Sequence, residues 1–280
     1  MMRVGRYCLG QGRPLVMGIL NITPDSFSDG GIHFSCDTAL NAALQMKEDG
    51  ADILDVGAES TRPGATPVSV QQEMDRVLPV IEALQAVGLP LSLDSRRADV
   101  VQAAIGIGID MVNDVSGFTT PTMQALLPEI AQRNMAVCIM HMQGEPQTMQ
   151  SNPHYQDVVR EVGNFLAGQR DIAMAAGLPS SQILLDPGFG FGKTRQHNVA
   201  LFDALSELGR LGPLLVGVSR KRMLAELSER EGPAAQRLGA SISAALLAAE
   251  RGVSVLRVHD VRQTVDALRV QGALRAGTHR

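Results

Sequence analysis

The sequence predicts an α/β protein that folds as one (β/α)8 TIM barrel domain over residues 1–280. Short runs rich in Val, Ile and Leu recur at long intervals, which is typical of parallel strands buried on both faces. Stretches with helical spacing of apolar residues separate these runs, and no low-complexity linker divides the chain. Eight such units favour a barrel, whereas a doubly wound sheet usually has fewer strands and a glycine fingerprint after the first.

Each predicted strand is a short apolar segment. The eight are Leu15–Asn21, Asp52–Gly57, Leu91–Asp94, Met111–Val115, Ala136–Met142, Ile183–Asp186, Leu214–Ser219 and Val255–His259. The predicted helices follow the strands in turn: Thr38–Asp49, Val70–Val87, Ala98–Ile105, Met123–Arg133, Asp157–Ala175, Val199–Leu208, Arg237–Ala249 and Val261–Leu274. Several helices end near a glycine, such as Gly50, Gly88 and Gly108, and left-handed helix ends favour glycine.

Composition narrows the range of functions. The chain has 25 Lys and Arg against 29 Asp and Glu, and this net charge of −4 gives no electrostatic basis for binding nucleic acid. Aromatic residues make up only 3% of the chain, which argues against a base-stacking platform. Three widely spaced cysteines suit a reducing compartment, and we find no secretory or membrane-spanning run. We therefore expect a cytoplasmic protein with neither a nucleic-acid nor a membrane partner.

Barrel enzymes place their active sites at the carboxyl ends of the strands and in the loops that follow. Polar residues occupy those ends here: Asn21, Asp55, Asp94, Asn113, Asp114, His141, Asp186, Ser219, Arg257 and His259. The loops after the first two strands, TPDSFSDGG and ESTRPGA, are rich in Gly, Pro, Ser and Thr. We predict that both are mobile loops over the site.

Three of these polar residues suit a flat heterocycle. Asp94 and Asp186 end apolar strands, where a carboxylate is costly unless it meets a cation or N–H donors. Together with the Asn113 amide they could bind an amino group and a ring N–H edge. Taken singly, each could equally be a structural hydrogen-bond acceptor.

A basic cluster after the last two strands indicates an anionic group. Arg220, Lys221, Arg257 and His259 lie where barrels commonly bind phosphate, although solvated surface charge is the alternative. Arg62 in the second loop could close over the same anion.

Asn21 offers a neutral oxygen at the mouth of the barrel. It is adequate for Mg²⁺ only if substrate phosphate and water complete the shell, and capping a loop is the alternative role. Other motifs fail: GFGFGKT has Pro187 where a P-loop needs its first glycine, and GVSRK has Lys221 where a nucleophile elbow needs its second. No Cys and His cluster has zinc spacing.

Eight segments in register closely resemble the dihydropteroate synthases. They run in order from about Pro14 to Leu274 and are MGILNITPDSFSDGG, DILDVGAESTRPGA, SLDS, NDVSG, MHMQGEPQTMQ, DPGFGFGK, GVSRK and LRVHDV. The resemblance implies a (β/α)8 homodimer that joins 6-hydroxymethyl-7,8-dihydropterin diphosphate to 4-aminobenzoate. The products would be 7,8-dihydropteroate and diphosphate, in folate synthesis.

The resemblance also implies roles for individual residues. The pterin would be held by Asp94, Asn113, Met140, Asp186 and Lys221. The diphosphate would be bound by Arg257, His259, Thr61 and Arg62, and by Asn21 through Mg²⁺. The 4-aminobenzoate, with which sulfonamides compete, would be surrounded by Phe27, Arg62, Pro63, Phe191, Ser219 and Lys221.

The protein offers no activated nucleophile, so the aryl amine has to attack. We hypothesise a dissociative substitution at the pterin methylene, in which the protein stabilises the departing diphosphate. Arg257 and His259 with Mg²⁺ would take up the leaving charge, and Lys221 would also stabilise the transition state. Asp94 and Asp186 would lie beside the developing cation.

Two alternative functions predict different motifs and residues in the sequence. A pterin-binding barrel that moves a methyl group to a corrinoid should lack ESTRPGA and the SRK element, and both are present. A family copy that has lost catalysis should have lost Asp186, Lys221 or Arg257, and all three are present. Arg222 is a local departure, since many relatives should have a small residue there; it places an extra cation near the site or points to solvent.

Overall fold

The computed structural model is built around eight parallel strands. A hairpin precedes them, formed by β1 (Met2–Val4) and β2 (Tyr7–Leu9). The parallel strands are β3 (Leu15–Asn21), β4 (Ile53–Gly57), β5 (Leu91–Asp94), β6 (Met111–Asp114), β7 (Ala136–Met140), β8 (Ile183–Asp186), β9 (Leu215–Val216) and β10 (Val255–Val258). The structure describes residues 2–10, 12–22, 31–59, 68–145, 148–230 and 232–277, with only the backbone of 31–35.

The parallel strands close into a barrel. They pair in the order β8-β7-β6-β5-β4-β3-β10-β9, and a parallel bridge between Leu185 and Leu214 connects the two ends of this series. The predicted (β/α)8 barrel and its eight strands are therefore confirmed. Strand β9 ends at Val216 rather than at the predicted Ser219, because the chain turns there and Arg220 adopts a φ of 60°.

Helices connect the strands and surround the barrel. In the described residues they are α1 (Gly31–Glu48), α2 (Val70–Leu84), α3 (Ala98–Ile107), α4 (Pro121–Gln124), α5 (Leu127–Gln132), α6 (Val158–Ala175), α7 (Arg195–Asp203), α8 (Leu205–Leu208), α9 (Arg222–Leu227), α10 (Leu238–Glu250) and α11 (Val261–Gly277). Within this part of the chain, no helix combines the length and hydropathy that a bilayer crossing demands.

Several features differ from the predicted elements, among them the division of the helix predicted over Val199–Leu208 into α7 and α8 and the start of α1 at Gly31. The helix predicted over Met123–Arg133 is two short helices, α4 and α5, because Pro128 has no N–H to continue the hydrogen bonding across their junction. Helix α7 begins four residues earlier than predicted, where Thr194 caps it by accepting from the His197 N–H at 3.2 Å. The hairpin β1–β2 and helix α9 are absent from the prediction.

Apolar side chains fill the lower part of the barrel. Met17, Ile53, Met111 and Leu184 are fully buried inside it, and Val4 of the hairpin packs with them at the amino-terminal end. A second apolar layer lies between the strands and the helices. Alternate side chains of each strand face the inside of the barrel. Because apolar side chains fill the amino-terminal part of this inner face, its polar groups lie at the carboxyl-terminal end.

The two loops predicted to be mobile are residues 23–31 and 59–65, and all of them except Gly31 and Glu59 lie outside the described residues. Their mobility stays a prediction.

Candidate active site

A layer of polar side chains lies inside the carboxyl-terminal end of the barrel. Each follows a buried residue of the inner face by two positions, and this residue is apolar except on β5, where it is Ser92. The strand alternation therefore turns each polar side chain inward. The members are Asp55 after Ile53, Asp94 after Ser92, Asn113 after Met111, Asp186 after Leu184 and Arg257 after Val255. Ladder pairing sets Asp94 beside Asn113, and Met140 beside Asp186. The predicted pterin residues from these strands therefore converge on one end of the barrel.

Arg257 joins two of the carboxylates in this layer. Its Nε donates to Asp55 Oδ2 at 2.5 Å, and its Nη2 donates to Asp94 Oδ2 at 2.7 Å. Asn113 donates from Nδ2 to the same Asp55 oxygen at 3.2 Å. The Arg257 side chain is 21% exposed and Asp55 is completely buried. The guanidinium is thus held within the polar layer, at the level of the predicted pterin site.

Burial controls the charge of this layer. It raises the pKa of Asp94 to about 7; Arg257 opposes this shift and the Asp55 carboxylate adds to it. Burial disfavours the charged form of Arg257 as well, but the carboxylates of Asp55 and Asp94 outweigh it and raise the pKa of Arg257. A second oxygen of Asp55, Oδ1, is buried and has no hydrogen-bond partner among the described residues. A buried carboxylate oxygen without a hydrogen-bond donor favours binding of a ligand that carries several N–H donors.

The Asp186 carboxylate is hydrogen-bonded to the backbone of the loop that follows β8. Its Oδ1 accepts from the Gly188 N–H at 2.7 Å. Burial raises the pKa of Asp186, while the Gly188 N–H and the Lys221 ammonium lower it. Gly188 has a φ of 70°, and a Cβ there would lie 1.9 Å from the His141 carbonyl oxygen. Only glycine fits this close approach between the loops after β7 and β8.

Lys221 and Phe191 form the next part of the site. The Lys221 ammonium lies 4.1 Å from the centroid of the Phe191 ring, in a cation–π contact. Phe191 comes from the loop after β8, and Lys221 lies at the start of α9. The structure therefore brings together two of the residues predicted around 4-aminobenzoate.

Ser219 and His259 meet at the ends of β9 and β10. The His259 N–H donates to Ser219 Oγ at 3.3 Å, and His259 Nδ1 lies 3.2 Å from the same oxygen. Ser219 is predicted beside 4-aminobenzoate and His259 beside diphosphate, so these two predicted subsites adjoin.

Arg220, from the predicted basic cluster, and Arg222, the predicted local departure, both pair with carboxylates outside the pocket. Arg220 binds Asp260 through Nε at 3.1 Å and Nη2 at 2.5 Å, which leaves it poorly placed for an incoming anion. The Arg222 side chain is 89% exposed and pairs with Glu226 on the same helix. Arg222 therefore points to solvent, and it adds no cation to the pocket.

Asn21 is the exposed last residue of β3, paired with Gly57 across the ladder. Among the residues described, no group of three or more His, Cys, Asp or Glu side chains is arranged to bind a metal ion. Four further predicted site residues, Phe27, Thr61, Arg62 and Pro63, lie outside the described residues.

The sequence does not assign two buried residues of this region to the site. It marks Asp55 only as a polar strand end, yet Asp55 binds both Arg257 and Asn113. The signal for Asp55 is its position two residues after Ile53, on the same strand face. Lys193 occurs in the sequence only within a motif that fails as a P-loop. The structure buries it between the loops after β7 and β8.

These features define a (β/α)8 enzyme whose barrel mouth holds a buried acidic and amide layer for a polar heterocycle. The sequence model of the family described as pterin binding enzyme matches residues 17–259. A dihydropteroate synthase of Neisseria meningitidis serogroup B is 48% identical over 278 residues, which cover 97% of this chain and 96% of that protein. The chain belongs to the pterin binding enzymes and, among them, to the dihydropteroate synthase family.

Solved structures agree with this assignment. The Xanthomonas albilineans dihydropteroate synthase with 4-aminobenzoic acid superposes with a TM-score of 0.85 at 48% identity, covering 94% of each chain. The Xanthomonas albilineans enzyme in complex with 7,8-dihydropteroate gives a TM-score of 0.82 at 45% identity, again covering 94% of each chain.

Proposed function

We propose that this protein condenses (7,8-dihydropterin-6-yl)methyl diphosphate with 4-aminobenzoate to give 7,8-dihydropteroate and diphosphate in folate biosynthesis. The observation that carries the proposal is the polar layer of Asp55, Asp94, Asn113, Asp186 and Arg257 inside the barrel. The relatives named above and their complexes with 4-aminobenzoic acid and 7,8-dihydropteroate support the same substrates.

The polar layer suits the pyrimidine side of a pterin. That edge presents an amino group and ring N–H groups, which need acceptors, and the layer offers carboxylates on β5 and β8. Asn113 supplies both a donor and an acceptor. Met140, 4% exposed on the inner face of β7, provides an apolar surface for the ring. Lys221, whose ammonium acts on the Asp186 carboxylate, completes this set.

The reaction follows from these groups. The methylene C–O bond breaks and diphosphate leaves; the arylamine nitrogen forms the new C–N bond and loses a proton. No described side chain is needed as a nucleophile, so the task of the protein is to orient the substrates and to stabilise charge. We infer a dissociative path, in which the carboxylates of Asp94 and Asp186 lie near the developing pterin cation. A large secondary isotope effect at the methylene would support it, and a value near unity would contradict it.

Diphosphate binding is assigned to the rim of the barrel. His259 and Ser219 meet at this rim, and we assign Arg257, which extends from β10, to the same set. Thr61 and Arg62 complete the proposed set. The only protein oxygen that we assign to Mg²⁺ is that of Asn21, and such a site fits the ion because Mg²⁺ commonly retains water and binds substrate phosphate. Bound there, Mg²⁺ would neutralise the charge of the diphosphate.

The arylamine subsite is assigned to the contact between Phe191 and Lys221. The ammonium offers a partner to the carboxylate of 4-aminobenzoate, and the phenyl ring offers an apolar wall. Ser219 borders this site, and Phe27, Arg62 and Pro63 are assigned to it from the loops. The same subsite would accept sulfonamides, which resemble 4-aminobenzoate.

We further propose a homodimer in the cytoplasm. An open apolar groove runs between α10 and α11 and is lined by Leu246, Leu247, Val270 and Leu274. Val270 is 59% exposed and Leu274 is 70% exposed, which favours a second copy of the chain as the partner of this face. The three cysteines are free thiols, consistent with a reducing compartment.

Release of diphosphate tests the proposed function. The purified protein is incubated with dihydropterin diphosphate, Mg²⁺ and 4-aminobenzoate, and each component is omitted in turn. Turnover that needs both substrates and the metal supports the synthase. Folded protein that binds the pterin without turnover would indicate a copy that has lost catalysis, and failure to bind the pterin would contradict the pocket assignment.

A further inference from the structure

Lys193 is a buried cation for which the described part of the chain places no carboxylate at ion-pair distance, although Asp186 acts on it from farther away. The Lys193 side chain is 3% exposed. Its Nζ lies 3.0 Å from His141 Nδ1, 3.3 Å from the His141 carbonyl oxygen and 3.0 Å from the Phe191 carbonyl oxygen. Burying an ammonium is costly unless its three donors are used, and here all three have a neutral acceptor.

These three contacts join two loops of the active site. His141 directly follows β7, and Phe191 lies in the loop after β8. The loops approach each other closely, since a Cβ at Gly192 would lie 2.3 Å from the Gln143 carbonyl oxygen. The Tyr155 hydroxyl also donates to the Gly192 carbonyl at 2.9 Å. Lys193 therefore lies in a tight, buried joint between the loops.

Phe191 links this joint to the pocket. The Lys193 ammonium donates to the Phe191 carbonyl oxygen. The Phe191 ring lies against Lys221, with 4.1 Å between the ring centroid and the Lys221 ammonium nitrogen. Lys193 thus anchors the main chain at the residue whose side chain forms the pocket wall. Without that anchor, the backbone at Phe191 would lose its buried donor, and the ring would lose its fixed direction.

We propose that Lys193 is a positioning residue for the arylamine subsite: it fixes the Phe191 ring against Lys221 by holding the two loops together. The proposal rests on the proposed function, because it takes Phe191 and Lys221 as walls of the 4-aminobenzoate site. It adds a residue that touches neither the pterin layer nor the diphosphate rim.

The charges around the joint agree with this role. Burial lowers the pKa of Lys193 to about 7, with Asp186 opposing and Lys221 adding to the shift. Burial and the nearby Lys193 also lower the pKa of His141 to about 3, so its imidazole is neutral and Nδ1 can accept. Tyr155 packs against the His141 ring and His197 packs against Tyr155, and burial followed by Lys193 lowers the pKa of His197.

Steady-state kinetics of Lys193→Met test the proposal. We expect KM for 4-aminobenzoate to rise about tenfold, because hydrogen bonds from a charged donor are lost, while KM for dihydropterin diphosphate and kcat change less than about threefold. Lys47→Met is the matched control. Lys47 donates to the Val87 carbonyl oxygen at 2.6 Å, between the end of α1 and the segment before β5, and its loss should leave both KM values unchanged.

His141→Phe provides a second variant should Lys193→Met not fold. It keeps an aromatic ring against Phe165 and Tyr155 but removes one acceptor of the ammonium, so KM for 4-aminobenzoate should rise about threefold. If the wild type turns over but both KM values of the variants are unchanged, or rise by the same factor, the positioning role alone is overturned. A wild-type protein without turnover would overturn the proposed function and this inference with it.

Discussion

Arg257 and Asp55, 202 residues apart in the sequence, are joined inside the barrel by Nε and Oδ2 at 2.5 Å. The same guanidinium lies 2.7 Å from Asp94 Oδ2. One cation therefore keeps two carboxylates side by side that would otherwise repel each other. By this contact Arg257 organises the pterin layer, in addition to the diphosphate role proposed for it.

Asp55→Asn should weaken pterin binding. The change removes the charged partner of Arg257 but keeps the shape of the side chain, and we expect affinity for the pterin to fall about 100-fold, since charge-assisted pairs in buried sites are strong. Calorimetric titration measures this. Asp52→Asn is the control: it breaks another Asp–Arg pair, with Arg13 at 2.7 Å, just before β4, and it should leave pterin affinity unchanged. Equal losses in both variants would contradict the role of Asp55.

Pterin binding should strengthen as pH rises through about 7. Burial raises the pKa of Asp94 from 3.8 to about 7, and only the ionised carboxylate accepts from all donors of the ligand. Affinity for a dihydropterin without diphosphate, measured from pH 5.5 to 8.5, tests this. The midpoint should move to lower pH in Asp55→Asn, because the Asp55 carboxylate helps to raise the pKa of Asp94. An affinity that is independent of pH would refute it.

The same pKa shift has a consequence for stability. A carboxyl group whose pKa is raised in the folded state stabilises the protein below its unfolded pKa, and this contribution is lost as pH rises through about 7. The free energy of unfolding of the wild type relative to Asp94→Asn should therefore be larger at pH 5 than at pH 8. Urea titrations of both proteins at the two pH values measure it, and the opposite order would contradict burial as the cause.

Lys193→Met should not destabilise the protein at pH 7. Burial lowers the pKa of Lys193 from 10.5 to about 7, so the contribution of the lysine to stability is present above pH 10.5 and is lost as pH falls through about 7. Apolar replacement of a buried charge is often neutral or stabilising. The free energy of unfolding of both proteins should be measured at pH 7 and pH 10. The difference, wild type minus variant, should be larger at pH 10. A variant that is much less stable at pH 7 would argue against this.

Gly188→Ala should be strongly destabilising. A Cβ at this position would lie 1.9 Å from the His141 carbonyl oxygen, and the φ of 70° disfavours alanine. We expect a loss of about 3 kcal/mol or more in the free energy of unfolding. Gly106→Ala in α3 is the matched control, because a Cβ at this position would meet nothing within 4 Å. Alanine there should increase the free energy of unfolding by as much as about 1 kcal/mol.

Val270→Glu should shift the proposed dimer towards monomer. The substitution places a charge in the apolar groove between α10 and α11. Sedimentation or light scattering at several concentrations measures the change. Ile172→Glu on α6, where the native residue is 39% exposed, should leave the dimer intact. If Val270→Glu leaves the dimer unaffected, the groove is not the dimer interface.

The barrel and most of its polar layer could be predicted because both depend on local patterns. Buried strands such as Ile183–Asp186 are short apolar runs, and period-two alternation places Asp186 on the same face as Leu184. The pairing of Arg257 with Asp55 could not be predicted, since it depends on barrel closure across the whole chain.

Other features lay beyond the sequence because a local signal was weak or had two meanings. Lys193 lies in a glycine-rich motif that fails as a phosphate-binding loop, and two of its three acceptors are carbonyl oxygens, which every residue carries. The strands of the hairpin β1–β2 have only three residues each, too few for a clear alternation.

The stoichiometry of the reaction is the most direct measurement of the central proposal. Purified protein is given both substrates with Mg²⁺, and 7,8-dihydropteroate and diphosphate are quantified in the same samples. We expect one dihydropteroate for each diphosphate released, with both lost together in Asp186→Asn. Release of diphosphate without dihydropteroate would show a hydrolase, and it would contradict the proposal that the barrel joins the pterin to an arylamine.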